Sequence, residues 1–104
     1  MLPLPDFTLL PFGGFLDKLR FSADDEDHSR QRFCEWKLLG LSADSIRSSS
    51  GVAVGVDVTA DKVDFQGYAY LVVFGCRTAE RAKSLASDYA PLLRRASSSG
   101  LSLV

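Results

Sequence analysis

The chain has 104 residues, 46% of them hydrophobic and 24% charged, with 12 basic residues against 13 acidic ones and a net charge of −1. That length provides one domain with one core, and the ordinary globular usage excludes a wholly disordered or fibrous chain. The near-neutral balance leaves no overall field to hold a polyanion, which disfavours non-specific nucleic-acid binding.

Residues 1–21 form an apolar N-terminal segment without a basic leader, broken by Pro3, Pro5, Pro11 and the pair Gly13-Gly14. It reads as neither a signal peptide nor a membrane span. Two short strands are expected, over residues 7–12 and 15–21, joined at the glycine pair, with Pro11 holding the first to a sheet edge. Phe7, Leu9, Phe12, Phe15 and Leu16 then pack onto the domain. The alternative is an exposed docking segment or a contact between copies of the chain.

Residues 22–30 read as an acidic loop. Asp24-Asp25-Glu26-Asp27 resembles a calcium loop in charge alone, lacking its alternating ligand spacing and central glycine, so no metal site is expected. His28, the only histidine, has no nucleophile or carboxylate placed beside it by a recognised spacing. Cys34 and Cys76 have no CxxC or Cys/His partners, which argues against zinc. Both sit in apolar strand-like runs, where a buried free thiol is the commoner outcome, and a reducing, intracellular compartment follows from it.

Residues 31–96 read as the core sheet and its helix. Cys34, Trp36 and Leu38 alternate with Phe33, Glu35 and Lys37 as a strand; residues 43–47 fit a short strand or one helical turn equally well. Val52, Val54, Val56 and Val58 point one way from a half-buried strand, with Ala53, Gly55, Asp57 and Thr59 opposite. A return strand is expected to begin at residues 63–65. Residues 68–76 are apolar on both faces and so central to a sheet, and they pass directly into an amphipathic helix. Thr78 is its expected N-cap, and Ala82, Leu85, Ala86, Tyr89 and Leu93 are its core stripe. Pro91 predicts a kink or break near residues 87–90. The tail, residues 97–104, echoes Ser48-Ser49-Ser50-Gly51-Val52 with Ser97-Ser98-Ser99-Gly100-Leu101; it reads as a linker or, alternatively, as a closing edge strand.

Two families resemble parts of this pattern. The run from Tyr70 to Cys76 followed by Thr78-Ala-Glu-Arg-Ala-Lys-Ser-Leu85 is similar to the closing strand and helix of the pleckstrin-homology superfold, especially phosphotyrosine-binding domains and the third lobe of FERM domains. Lys37-Leu-Leu-Gly-Leu-Ser-Ala-Asp44 looks like an earlier strand and turn of such a domain. The resemblance implies a bent antiparallel sheet and a peptide partner adding a strand beside the C-terminal helix. Gln66-Gly-Tyr-Ala-Tyr-Leu-Val-Val73 resembles the aromatic octapeptide of RNA-recognition motifs, which implies a ferredoxin-like sheet with Tyr68 and Tyr70 as a base-stacking platform.

The sequence therefore predicts an α+β domain, an antiparallel sheet packed by one C-terminal helix, acting as a non-enzymatic module without a cofactor. A protein or peptide is expected to dock along the helix edge at Arg81, Asp88 and Leu92. RNA binding through Tyr68 and Tyr70 is the alternative. Catalysis is a third class, but Asp57, Asp61, Asp64 and His28 sit on turns or a wet strand face. The best candidates for a local basic patch are Arg77, Arg81 and Lys83 at the helix start and Arg94 with Arg95 at its end.

Overall fold

The computed structural model describes residues 1–23, 35–76 and 78–104. The expectations for residues 24–30 of the acidic loop, His28, Cys34 and Arg77 lie outside the described residues, while Ser22 and Ala23, expected to open that loop, are helical. The class holds: among the described residues, two helices and eight short strands make a mixed α+β domain.

The central strand pair explains the architecture. β6 (Tyr70–Leu71) and β7 (Val73–Phe74) are consecutive segments of one extended run. Leu71 and Val73 pack into one apolar cluster, while Val72 and Phe74 pack into another. A two-residue period thus sends alternate side chains into two cores on opposite faces. Each face has its own helix. α1 (Leu9–Ala23) contributes Leu9, Phe12 and Leu16 to the cluster around Phe74; α2 (Ala79–Ser98) contributes Leu85, Tyr89, Leu92 and Ala96 to the cluster around Leu71. Coverage by one C-terminal helix was expected, and the second helix comes from the segment read as two strands.

That segment is helical because its breakers fall where they do little harm. Pro11 is the third residue of α1, inside the first turn, whose N–H groups have no intrahelical acceptor in any case. Phe7 and Phe12 are buried and meet edge to face with centroids 5.0 Å apart, and Phe12 meets Phe74 at 5.1 Å. Such pairs and the burial behind them outweigh two glycines that each cost about 1 kcal/mol against alanine. A Cβ built on Gly14 meets nothing within 4 Å. Gly14→Ala is therefore expected to stabilise the domain by about 0.5–1 kcal/mol, read as a raised urea midpoint; a lowered midpoint would contradict the helix.

The sheet, expected to be antiparallel, is mostly parallel. β1 (Leu2–Pro3) pairs with β7, β2 (Leu39–Gly40) with β5 (Val58–Thr59), and β6 with β8 (Ser102–Leu103), all in parallel. Among the described residues, β3 (Ser45–Arg47) and β4 (Ala53–Gly55) form the one antiparallel strand pair. Backbone bonds from Met1 N to Lys37 O and from Leu39 N to Met1 O, both 2.8 Å, stitch β1 to β2. The ladders thus run in the spatial order β8, β6/β7, β1, β2, β5. For β6 and β8 the cause is connectivity: α2 lies between them and returns the chain to the same end of the sheet, which parallel pairing requires, whereas β2 and β5 are joined through the β3–β4 hairpin. Residues 63–65 form no strand; Phe65 is buried instead, beneath the Arg95 guanidinium at 5.1 Å.

Thr78 caps α2 as expected, its Oγ1 accepting the Arg81 N–H at 3.2 Å. Pro91 does not break the helix, which continues to Ser98. Ser87 and Pro91 are both exposed, so the carbonyl that the proline leaves unbonded can face water. The helix ends in a Schellman motif: Leu101 N–H reaches Ala96 O at 3.2 Å, Gly100 N–H reaches Ser97 O at 3.0 Å, and Gly100 takes φ +92°. Leu101 and Ala96 are buried in the same cluster. The tail is therefore a strand, as in the less favoured of its two readings, and the serine-glycine echo has a physical basis. Gly51 likewise takes a positive φ, +87°, where the β3–β4 hairpin turns.

Candidate functional site

Three of the parallel strands, β1, β2 and β7, end on the same side of the molecule, and the chain leaves β1 and β7 in opposite directions. From β1 it passes through α1 to β2 on one flank, and from β7 through α2 to β8 on the other. Open parallel sheets form a crevice where neighbouring connections diverge in this way, outside the carboxyl ends of the strands. Here a cleft of about 400 Å³ occupies that place, between the first half of α2 and residues 41–47.

Its floor is apolar, from Leu41, Ile46, Leu85 and Tyr89, and its rim carries Asp6, Arg47, Arg81 and Asp88. Asp6 reaches the rim through a turn. Phe7 N–H bonds to Leu4 O at 2.9 Å across Pro5 and Asp6, and Asp6 has φ +65°. Proline followed by a positive-φ residue is the pattern of a type II turn, and aspartate tolerates that φ better than most side chains. The Asp6 carboxylate then accepts from Arg81 Nε at 3.1 Å. Both side chains are about half exposed, so the pair contributes on the order of 0–1 kcal/mol. Its consequence is positional, fixing the turn after β1 against the first turn of α2. Arg47 donates from Nη1 to Gly51 O at 2.6 Å, which steadies its stem at the hairpin.

Two rim or floor groups are unspent. Asp88 has no hydrogen-bond or ion-pair partner among the described residues, nor has the Tyr89 hydroxyl. Tyr89 is 5% exposed. Burial, and secondarily the Asp88 carboxylate, push its phenol above the ordinary value, with Arg81 pulling the other way. It is therefore a neutral hydroxyl at physiological pH.

Of the three residues placed at the helix edge from sequence, Arg81 and Asp88 line this cleft together. Leu92 does not: it is 4% exposed and packed in the core beside Leu85 and Tyr89. The stripe is rotated from the expected one, since Ala82 and Ala86 are exposed while Leu92 and Ala96 are buried. Leucine outcompetes alanine for buried surface because it removes more apolar area from water. Asp6, Arg47 and Tyr89 were not singled out as site residues. The pair Pro5-Asp6 after an apolar run was the only sequence signal for the turn.

The two tyrosines proposed for base stacking sit in different surroundings. Tyr70 is 64% exposed, whereas Tyr68 packs against the α2-side core and donates its hydroxyl to Glu35 Oε1 at 3.2 Å. Burial and that carboxylate push the Tyr68 phenol upward. The aspartates considered for catalysis are spent locally. Asp57 accepts from Leu38 N–H at 2.7 Å and Asp64 from Gln66 N–H at 3.0 Å. The Thr59 hydroxyl donates to Asp61 and holds that carboxyl below its ordinary value. Of the basic patches, Arg81 is paired with Asp6, and Arg95 donates to Val63 O at 3.0 Å. Cys76 is a free, half-buried thiol.

The N-terminal apolar segment packs largely as the main expectation had it, which leaves little of it for docking or self-association. Phe7 and Phe12 are in the core, leaving Leu10 at 83% and Phe15 at 38% exposure. No helix of the described residues is long and apolar enough to cross a membrane. No protein-family model, curated protein or solved structure matches the chain.

Proposed function

We propose that this domain is a non-enzymatic binding module that takes a short stretch of a protein or peptide partner into the cleft beside α2. One observation carries the reading: an apolar floor with a charged rim lies at the carboxyl ends of the parallel strands, where the connections diverge, and includes Arg81 and Asp88. Pockets of a few hundred Å³ at such a position, with few polar groups around an apolar floor, are the usual form of a ligand site. Asp6 and Asp88 on the rim oppose a phosphate backbone, so nucleic acid is the poorer fit. An intracellular setting suits the free thiol of Cys76.

Selection from a random peptide display library tests the proposal. Enriched peptides should shift the backbone amides of residues 41–47 and 81–89 in the folded domain. Their binding should fall at least tenfold in an Arg47→Glu, Asp88→Arg double variant, the loss of a charge-assisted bond at each site being worth that much. Both side chains are exposed, so circular dichroism should be unchanged. Peptides that map to another surface, or that bind the double variant equally well, would sink the proposal.

A further inference from the structure

Tyr89 poses the sharpest unsolved question in the fold. Its ring belongs to the core, yet its hydroxyl has no partner among the described residues, although the residue is 5% exposed and lines the cleft. A hydroxyl at the wall of an open cleft with no protein partner is left to bond water or a ligand. Phenylalanine would fill the same core space, so the hydroxyl adds nothing to the packing. Asp88, the preceding residue, is likewise without a partner on the same rim, while Arg47 spends one of its donors on Gly51 O and has others to offer. The cleft thus holds an unmet carboxylate, an unmet guanidinium edge and an unmet neutral hydroxyl around an apolar floor.

We infer that the segment captured here is a mixed-charge peptide, with a cationic side chain on Asp88, an anionic side chain on Arg47 and a backbone carbonyl accepting from the Tyr89 hydroxyl. This rests on the proposed binding role of the same cleft. The charges select for opposite signs because a peptide of one sign satisfies one rim group and is repelled by the other. A ligand that covers the rim also removes water from these bonds, which strengthens them relative to the half-exposed Asp6–Arg81 pair. The hydroxyl adds no net charge; it reads the main chain, and a ligand without a carbonyl at that depth leaves it unbonded.

The test titrates the full chain with four capped hexapeptides matched in length: mixed-charge Lys/Glu, all-Lys, all-Glu and uncharged Ala/Ser. A single-stranded oligonucleotide is the fifth probe. Amide shifts supply the affinity and the location. The mixed-charge peptide should bind at residues 41–47 and 81–89 at least tenfold more tightly than the others, and Asp88→Lys should abolish that advantage. Tyr89→Phe should weaken it about tenfold while leaving the thermal midpoint of the free domain unchanged or higher, because no intramolecular bond is lost. A structural hydroxyl would instead lower the midpoint, and that result overturns the inference. Equal cleft binding by a single-sign or uncharged peptide, or by the oligonucleotide, overturns it too. The uncharged result leaves the peptide-binding role standing. A cleft that responds to no peptide removes that role and the inference together.

Discussion

Truncating Phe7 to alanine should cost about 3–5 kcal/mol, enough to leave a domain of this size with little stability in reserve. Phe7 is fully buried and stands edge-on to Phe12, which in turn stands edge-on to Phe74. Its backbone is equally committed, bridging Ser48 on one side and Cys76 on the other. The residue therefore joins the end of β1, the β3–β4 hairpin and the end of β7 under α1. Alanine would leave a cavity that the surrounding strands, tied by their own hydrogen bonds, cannot close. Urea unfolding monitored by tryptophan fluorescence measures the cost. A loss below 1 kcal/mol would mean that α1 is not seated where the aromatic contacts put it.

How much of this was legible in the sequence varies with the range over which each signal acts. The α2 N-cap at Thr78, the central position of the strand before it and the apolar character of both strand faces are local patterns, and each appears in the structure. Strand direction is not local. The residues of β8 are the same whether they pair parallel or antiparallel with β6; the direction follows from the length of α2, which carries the chain back across the sheet. The reading of residues 97–104 as a linker fails for a related reason, since the strand depends on partners about thirty residues upstream. Parallel strands need such a crossover, whereas hairpins advertise themselves by their turns.

The N-terminal segment misled for a different reason. Pro11 and Gly13-Gly14 are breakers by propensity, but a proline in the first helical turn forfeits nothing, and packing by Phe12 and Leu16 decides the rest. Propensity is a weak prior where tertiary burial is large. The cleft shows the same division. Arg81 and Asp88 were legible because they lie seven residues apart on one helix, a spacing of about two turns. Asp6 and Arg47 arrive from separate segments, brought in by a turn and a hairpin that leave no joint signature in the chain.

Leu92→Asp should unfold the domain rather than trim a docking edge. At 4% exposure, Leu92 packs with Leu85, Tyr89 and Ala96 against Leu71 and Leu101. Aspartate there loses the transfer free energy of the leucine side chain, about 1.5–3 kcal/mol. It also places in an apolar core a carboxylate with no cation to pair with, which must either stay charged at several kcal/mol or take up a proton. The sum approaches the whole stability expected of a small domain. The amide spectrum should collapse from dispersed to unfolded at neutral pH, whereas Leu92→Met, similar in volume and polarity, should remain folded at a cost under about 1.5 kcal/mol. A well-dispersed Leu92→Asp spectrum would place this side chain at the surface and rotate α2 by a quarter turn or more. The apolar floor of the cleft would rotate with it, so the seating of Leu92 sets the identity of the site as well as the stability of the core.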